Sequence, residues 1–283
     1  MTVPPPIPSP RDLRSRTVLV TFLGAIVRRM DNWMPISATV DLMDEIGLDA
    51  ASTRTAVFRL KRRGWLLSET REGARGYSLT PVALHTLAVG DEVVWHARQP
   101  ADIRDGWCVV DFTIPESERS KRHHLRSSLV DLGFGNISGS TWLAPARMQT
   151  QVREAILSLG MQDFVAIFVG DYVGTRDLST LVTSSWDIQA INERYREFVA
   201  EYEPIERTLL ANDVVDTKAA FVTYVKMIDH WRKLPYRDPG LPRELLAEDW
   251  SAPQAGAVFE SLRQTLETEA LAHAARRWSV PVV

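Results

Sequence analysis

Cysteine is almost absent from this chain, since Cys108 is the only one among 283 residues. An internal disulfide is therefore excluded, and the apolar run "WCVVDF" around Cys108 predicts a buried thiol rather than a reactive one. Long apolar runs are also missing: the longest, residues 17–27, has about half the length of a membrane span. The first ten residues lack the charged and apolar regions of an export signal. We therefore expect a cytoplasmic protein without contact to a membrane.

Motifs of catalysis are equally scarce. The sequence has neither a G-x-S-x-G nucleophile motif nor a glycine-rich phosphate-binding loop. His123 and His124 are adjacent, so on a helix their rings point about 100° apart and do not chelate one ion together. We therefore expect a protein that is not an enzyme and that binds neither a metal ion nor a resident cofactor.

The charge of the chain is unevenly distributed. The net charge is −3, yet residues 1–80 carry 12 basic and 8 acidic side chains. Residues 81–183 carry 9 basic and 12 acidic side chains, and residues 184–283 carry 12 and 16. Only the N-terminal segment is positive, which is typical of a polyanion-binding module attached to other domains.

Three amphipathic helices are predicted in this positive segment. A proline-rich arm, residues 1–10, is expected to be disordered. Helical periodicity then begins near Leu13, a second helix "ISATVDLMDEIG" ends at Gly47, and a third covers "STRTAVFRLKRRGW". Asp49 or Ser52 is expected to cap the third helix.

The segment after the third helix has strand character. The runs "WLLSET" and "YSLTP" flank a polar turn "REGARG", which together predict a β-hairpin. A linker helix from Val82 to about His96 follows. Three helices and a hairpin are the order of a winged helix-turn-helix domain, which we place at residues 11–98.

The third helix combines an apolar inner stripe with a basic outer face. Ala56, Val57 and Leu60 are expected to face the core. Its N-terminal half is then placed to read base edges, and its basic C-terminal half to contact phosphates. Phe58 is left either to touch a thymine methyl or to pack under the hairpin. The residues predicted to bind DNA are Ser52, Arg54, Thr55, Arg59, Lys61, Arg62 and Arg63 on the helix, with Arg71 and Arg75 at the hairpin tip.

The rest of the chain predicts two more domains and an α+β fold. Residues 104–178 show the order β-α-β-β-α-β of a ferredoxin-like domain. Residues 179–283 are mostly helical, with a break at "LPYRDPGLP". The apolar stripe of 186–198 fits either a core or dimer interface or a pocket.

Several motifs of the chain resemble the PaaX-type transcriptional repressors. They include "RTAVFRLKRRGWL", "REGARGYSLTP", "LGFGNISGSTWLAP", "WDIQAINERYREFVAEYEPI" and "HWRKLPYRDPGLPRELLAEDW". The resemblance covers nearly the whole chain from Arg14. It implies a homodimeric repressor that binds palindromic operator DNA, controls aromatic-acid catabolism and is released by an acyl-CoA effector, phenylacetyl-CoA in the best-known member. The chain departs from the family pattern at Ala74 and Trp231, which leaves the operator sequence and the effector open.

The segment "DHWRKLPYRDPGLP" offers a wall for such an effector. Aromatic rings and cations suit the adenine and phosphates of coenzyme A. The alternative is a structural turn in which Arg237 and Asp238 satisfy each other. The predicted effector-binding residues are Trp231, Arg232, Lys233, Tyr236 and Arg237.

A competing function comes from the middle domain. It looks like the small ferredoxin-fold nucleases of CRISPR spacer acquisition, some of which use a metal and an aspartate just after an aromatic residue. Here Thr113 follows Phe112, and Asp111 precedes it. One displaced aspartate is not a set of metal ligands, so a metal-dependent nuclease remains only the alternative hypothesis.

Overall fold

The structure is a computed structural model, and it describes residues 10–94, 99–211, 216–235 and 238–278. Residues 1–9 of the predicted proline-rich arm lie outside the described residues. The last residue of that arm, Pro10, is the first residue of a helix. The chain divides into two compact units. Unit 1 comprises residues 1–92, 200–231 and 256–283, and unit 2 comprises 93–199 and 232–255.

Unit 1 begins with helices and a small antiparallel sheet. Its first helices are α1 (Pro10–Ala25), α2 (Ile36–Glu45), α3 (Ala50–Arg62) and α4 (Pro81–Val94). Its strands are β1 (Trp33–Pro35), β2 (Leu66–Arg71) and β3 (Ala74–Leu79), in the sheet order β1-β3-β2. The three helices followed by a hairpin are in the predicted order, whereas β1 was not predicted. Three residues between two helices carry no period-2 pattern, so only the pairing with β3 reveals this strand.

The core of unit 1 forms around α1. One side of α1 contacts α3, and another contacts α9, the helix Thr217–Trp231. Phe22 on α1 is fully buried and lies edge-on to Phe221 of α9. The hydroxyl of Thr21 donates a buried hydrogen bond of 2.9 Å to Asp229. Apolar burial and one satisfied polar pair thus join the N-terminal helices to α9.

Unit 2 contains a four-stranded antiparallel sheet. Its strands are β4 (Trp107–Phe112), β5 (Gly135–Ser138), β6 (Thr141–Pro145) and β7 (Val165–Gly170). Helix α5 (Arg119–Asp131) lies between β4 and β5 along the chain, and α6 (Gln149–Ser158) between β6 and β7. The sheet order is β5-β6-β4-β7. The element order is therefore the β-α-β-β-α-β order that the sequence predicts.

The central strand β4 is covered by side chains on both faces of the sheet. Cys108, Val110 and Phe112 of β4 pack with residues of α5 and α6 on one face. Trp107 packs with Leu181 and Val182 on the other face, because successive strand residues point to opposite sides. Leu181 and Val182 belong to helix α7 (Leu178–Ser185). The second face is also covered by Leu241, which lies within the proline-rich break.

The C-terminal helices do not form a compact unit of their own. Helix α8 is Ile188–Leu210, and α10 is Ala252–Trp278. The region 179–283, predicted as one helical domain, is divided between the two units. Residues 179–199 and 232–255 supply buried side chains to unit 2, and 200–231 and 256–278 supply them to unit 1.

The Cys108 thiol is fully buried, as the sequence predicts, and burial raises its pKa to about 11. The folded chain therefore keeps this proton to higher pH than the unfolded chain, whose thiol ionises near the ordinary value of 9.0. The stability contributed by the protonated thiol is complete below about pH 9 and is lost as the pH rises toward 11.

Native protein at pH 8 is expected to react with a thiol reagent far more slowly than urea-unfolded protein, because only the unfolded chain exposes Cys108. Spectrophotometric thiol titration with and without urea measures the difference. A Cys108→Ser variant should lose the part of the alkaline pH dependence of unfolding that begins near pH 9, whereas the buried Tyr202 and Tyr224, whose pKa values are also raised, keep their part. Equal labelling rates for native and unfolded chains would contradict the assignment.

Candidate nucleic-acid interface

The start of α3 is fixed by an aspartate cap. The carboxylate of Asp49 accepts hydrogen bonds of 2.9 Å from both the backbone N–H and the hydroxyl of Ser52. Of the two predicted caps, Asp49 is therefore the one that forms. The hydroxyl of Ser52 donates to Asp49, and the side chain is half-buried. Ser52 is thus placed within the cap rather than on an open surface.

The two sides of α3 divide as the sequence predicts. Ala56, Val57 and Leu60 are buried, whereas Arg54 and Thr55 are exposed. Thr53 is buried as well. Its burial was not predicted, because threonine is polar and does not stand out in an apolar stripe. That hydroxyl has no hydrogen-bond partner among the described residues.

The C-terminal half of α3 carries the densest positive charge. Lys61, Arg62 and Arg63 are exposed, and Arg59 is half-buried. Gly64 ends the helix with a φ of 75°, a left-handed conformation that glycine adopts without strain. Cations near a helix C-terminus interact favourably with the helix dipole, so this cluster stabilises the end of α3.

Phe58 lies on the outer side of α3 with 59% of its surface exposed. This exposure excludes packing beneath the hairpin. Phe58 shares this side of the helix with Arg54 and Arg62, which lie four residues before and after it.

The hairpin turn is tighter than predicted. Glu72 and Gly73 form it with φ values of 48° and 81°, which are characteristic of a type I′ turn. Arg71 and Ala74 pair directly across the strands, so β3 begins at Ala74 instead of after "REGARG". Arg75 is the second residue of β3, and its side chain is exposed near the tip.

The side chain of Arg71 is engaged in contacts with other residues of unit 1. Its guanidinium donates hydrogen bonds of 2.8 Å to Glu69 and 2.6 Å to Asp31, and it lies 5.4 Å from the centre of the Trp33 ring. The hydrogen bonds to Glu69 and Asp31 raise the pKa of Arg71. Sequence analysis missed these partners because Asp31 and Trp33 reach the hairpin only through the pairing of β1 with β3. Arg75 is the hairpin cation that stays exposed.

Gly76 allows this packing. A Cβ atom at Gly76 would lie 2.3 Å from the carbonyl oxygen of Met34 and 2.8 Å from the ring of Trp33. Any larger residue would push β1 away from β3, so the glycine sets the distance between the two strands.

The described residues among the predicted effector-binding set do not share one open surface, because they differ in burial and belong to different units. Trp231 is 2% exposed, and its ring stacks on Phe259 with centroids 4.4 Å apart and planes 9° apart. Its indole therefore lies in the core of unit 1 and does not form an open aromatic wall. Arg232 is half-buried and Lys233 is exposed, and both belong to unit 2. Tyr236 and Arg237 lie outside the described residues.

Asp238 has a structural role in the break. Its carboxylate accepts a hydrogen bond of 2.9 Å from the hydroxyl of Tyr195 and one of 2.8 Å from the backbone N–H of Gly240. Asp238 is buried, so these donors satisfy a carboxylate that has lost its water. The stripe of Tyr195 and Phe198 is likewise buried, so these two residues form core rather than a pocket.

A cavity of about 570 Å³ lies in unit 2, at the start of α8. Three carboxylates, those of Asp187, Glu193 and Asp249, line it together with Arg196 and Trp250. Arg196 pairs with both Glu193 and Asp249. The excess of negative charge makes this cavity a poor match for the phosphates of coenzyme A.

The carboxylate of Asp111 is hydrogen-bonded to two hydroxyl groups. Its carboxylate accepts hydrogen bonds of 2.9 Å from Ser140 and from Thr141. Among the residues that the structure describes, no three His, Cys, Asp or Glu side chains converge as a metal site. The observations thus add no support to the nuclease hypothesis.

None of the helices in the described ranges is long and apolar enough to cross a membrane.

Comparison with known proteins adds three matches to family profiles, in order along the chain. Residues 14–83 match "PaaX-like protein", residues 100–182 match "PaaX protein central Cas2-like domain", and residues 186–276 match "PaaX-like protein C-terminal domain".

A curated relative and a solved structure are also similar. The transcriptional repressor PaaX of Escherichia coli (strain K12) is 27% identical over 248 residues, which are 85% of this chain and 77% of that protein. The uncharacterized protein Rv0674 from Mycobacterium tuberculosis has a TM-score of 0.57 at 20% identity. That match covers 93% of this chain and 97% of the other, and it shows a shared fold.

Proposed function

Since the chain belongs to the PaaX family, we propose that it is a transcriptional repressor that binds double-stranded operator DNA and responds to a small-molecule effector. Its relative in Escherichia coli is named a transcriptional repressor. The proposed activity is binding in the cytoplasm, and no residue is assigned a catalytic role.

We assign DNA binding to a winged helix-turn-helix in unit 1. Helices α2 and α3 are the helix pair, α3 is the recognition helix, and the hairpin β2–β3 is the wing. The supporting observation is the outer side of α3, where an exposed basic surface lies opposite a buried apolar stripe. In this class of proteins the recognition helix enters the major groove.

The residues of this surface divide by position. Arg54 and Thr55 lie in the N-terminal half of α3, where base edges are read, and arginine suits a bidentate contact to guanine. The exposed ring of Phe58 suits a thymine methyl group. Arg59, Lys61, Arg62 and Arg63 are assigned to phosphates, which provide affinity without sequence preference. On the wing, Arg75 is the assigned phosphate contact, and Arg71 supports the wing from within.

The direct test is gel retardation with a duplex that the chain itself selects from a randomised pool. We expect one enriched sequence with inverted-repeat symmetry and an affinity that falls steeply with salt concentration. Retardation equal to that of random duplex at every salt concentration would refute a sequence-specific repressor.

The inverted repeat follows from a proposed homodimer. Two-fold symmetry of the protein requires two-fold symmetry of its site. Strand β7 supports the proposal, because it is an edge strand whose Phe168 is 61% exposed and whose Val169 is 49% exposed. An exposed apolar edge strand is suited to pairing with another chain.

For the effector we propose an aryl-acyl-CoA, as the family resemblance implies. Release from DNA would follow from tighter binding of the effector to a form of the protein with low DNA affinity. Arg232 and Lys233 remain the assigned cations of the site. The acidic cavity at the start of α8 is not assigned to this ligand, because it would repel the phosphates.

Phenylacetyl-CoA is expected to raise the melting temperature, since a ligand bound only to the folded state stabilises it. At about 100 times the Kd the gain is about 2.7 kcal/mol, or about 5–10 °C in Tm for a protein of this size. Thermal-shift measurements with phenylacetyl-CoA, free phenylacetate and coenzyme A separate the parts of the ligand. A Lys233→Ala variant should show a smaller shift. No shift with the thioester would overturn the effector assignment.

A further inference from the structure

The C-terminal end of α10 contacts two elements that adjoin the proposed DNA-binding surface. Glu45 is the last residue of α2, and its carboxylate meets His273 and Arg277 of α10. The indole of Trp278 meets the backbone of Trp33 in β1. All five residues belong to unit 1.

Glu45 is an unfavourable residue for its position. A negative charge at a helix C-terminus opposes the helix dipole, and its side chain is only 8% exposed. Nε2 of His273 lies 2.7 Å from one oxygen of Glu45, and Arg277 donates a hydrogen bond of 2.8 Å to the other. These contacts offset the lost hydration of the carboxylate. The end of α2 is therefore fixed against α10, and α3 begins at Ala50 after a short turn.

Trp278 fixes β1 in a similar way. Its indole N–H donates a hydrogen bond of 3.0 Å to the carbonyl oxygen of Trp33, and its ring lies 6.1 Å from that of Phe22 on α1. Trp33 in turn pairs with Ser78 of β3 and lies beneath Arg71 of the wing. The position of the wing is thus tied to the same end of α10.

We infer that residues 273–278 of α10, here called the brace, hold the recognition helix and the wing at the relative position that DNA binding needs. His273, Arg277 and Trp278 would be positioning residues that do not touch DNA. The inference rests on the proposed function, and it assigns to the C-terminal region a part in DNA binding. It also means that a fragment limited to residues 11–98 would lack the three contacts that the brace makes with Glu45 and Trp33.

The test is a double-mutant cycle between the brace and the wing, made in the full chain. The brace variant combines Arg277→Ala with Trp278→Phe. It removes the hydrogen bonds to Glu45 from Arg277 and to Trp33 from Trp278, and it retains His273 and an aromatic ring. In the parent, Arg75→Ala is expected to weaken binding to the selected duplex about tenfold, the effect of one charged hydrogen bond. In the brace variant the same substitution should change affinity less than about twofold, because a displaced wing no longer contacts the phosphate.

A matched control separates positioning from stability. Tyr195→Phe removes a buried hydrogen bond to Asp238 in unit 2 and should leave the tenfold effect of Arg75→Ala unchanged. Circular dichroism melting confirms that each variant is folded at the assay temperature. Should the double variant fail to fold, Arg277→Ala alone, whose side chain is 47% exposed, takes its place in the cycle.

The two possible failures differ in their signature. A parent chain that prefers no duplex over random DNA refutes the proposed function and the inference with it. A parent that binds its selected duplex, with Arg75→Ala still costing tenfold in the brace variant, refutes the brace alone.

Discussion

Replacement of Arg54 by alanine is expected to weaken binding to the selected duplex by about 1–3 kcal/mol, and to relax the preference at one base position. Arg54 is exposed in the N-terminal half of α3, and that helix is anchored by the Asp49 cap and the buried stripe. Without the bidentate arginine the protein no longer distinguishes the base at that position, whereas the remaining phosphate contacts still bind the duplex. Quantitative gel retardation against duplexes that vary at single positions measures both effects.

Arg62→Ala provides the contrasting outcome in the same assay. Arg62 is exposed at the C-terminal end of α3. Its loss should weaken binding to all duplexes alike and reduce the slope of log affinity against log salt by about 1. Arg153→Ala, which removes an exposed arginine from α6 in unit 2, is the control for net charge. If Arg54→Ala and Arg62→Ala both bind like the parent, α3 is not the recognition helix.

Replacement of Trp231 by alanine is expected to destabilise unit 1 by about 3–5 kcal/mol, as large-to-small changes of a buried aromatic residue do. The ring of Trp231 is stacked on Phe259, and Gly256 lies beside it, with 3.8 Å from an added Cβ to the indole. Its removal leaves a cavity between α9 and α10. Urea unfolding followed by circular dichroism measures the loss.

Trp231→Phe is the matched variant, since it keeps an aromatic ring on Phe259 and should lose much less stability. The pair of variants also separates core packing from ligand contact. An alanine variant with parental stability and an abolished response to phenylacetyl-CoA would contradict the core position and favour the effector wall that the sequence predicts.

Local signals in the sequence were sufficient for much of unit 1 and for the sheet of unit 2. The spacing of Ala56, Val57 and Leu60 gives the buried side of α3, and Asp49 and Gly64 delimit the helix, as the structure confirms. The order of elements in residues 107–170 is also confirmed. The family resemblance, carried by motifs along the chain, is confirmed by three family profiles. Period, caps and turn residues act within a few positions of one another, so sequence alone exposes them.

Other features depend on residues that are distant along the chain. The strand β1 exists only through its pairing with β3, and that pairing brings Asp31 and Trp33 to Arg71. Ser52 and Arg71 were both predicted to bind DNA, yet the side chain of Arg71 is hydrogen-bonded to Glu69 and that of Ser52 to Asp49. Sequence patterns report which residues are charged but not which charges already have partners.

The sequence by itself determined the helices and hairpin of the basic N-terminal segment, the β-α-β-β-α-β order and the family. Only the tertiary structure decided that Trp231 is core, that Arg75 rather than Arg71 is the exposed cation of the hairpin, and that the C-terminal helices divide between two units. The physical reason is that burial and ion pairing are set by contacts such as that of Glu45 with His273, which lie 228 residues apart. No local periodicity encodes such a contact.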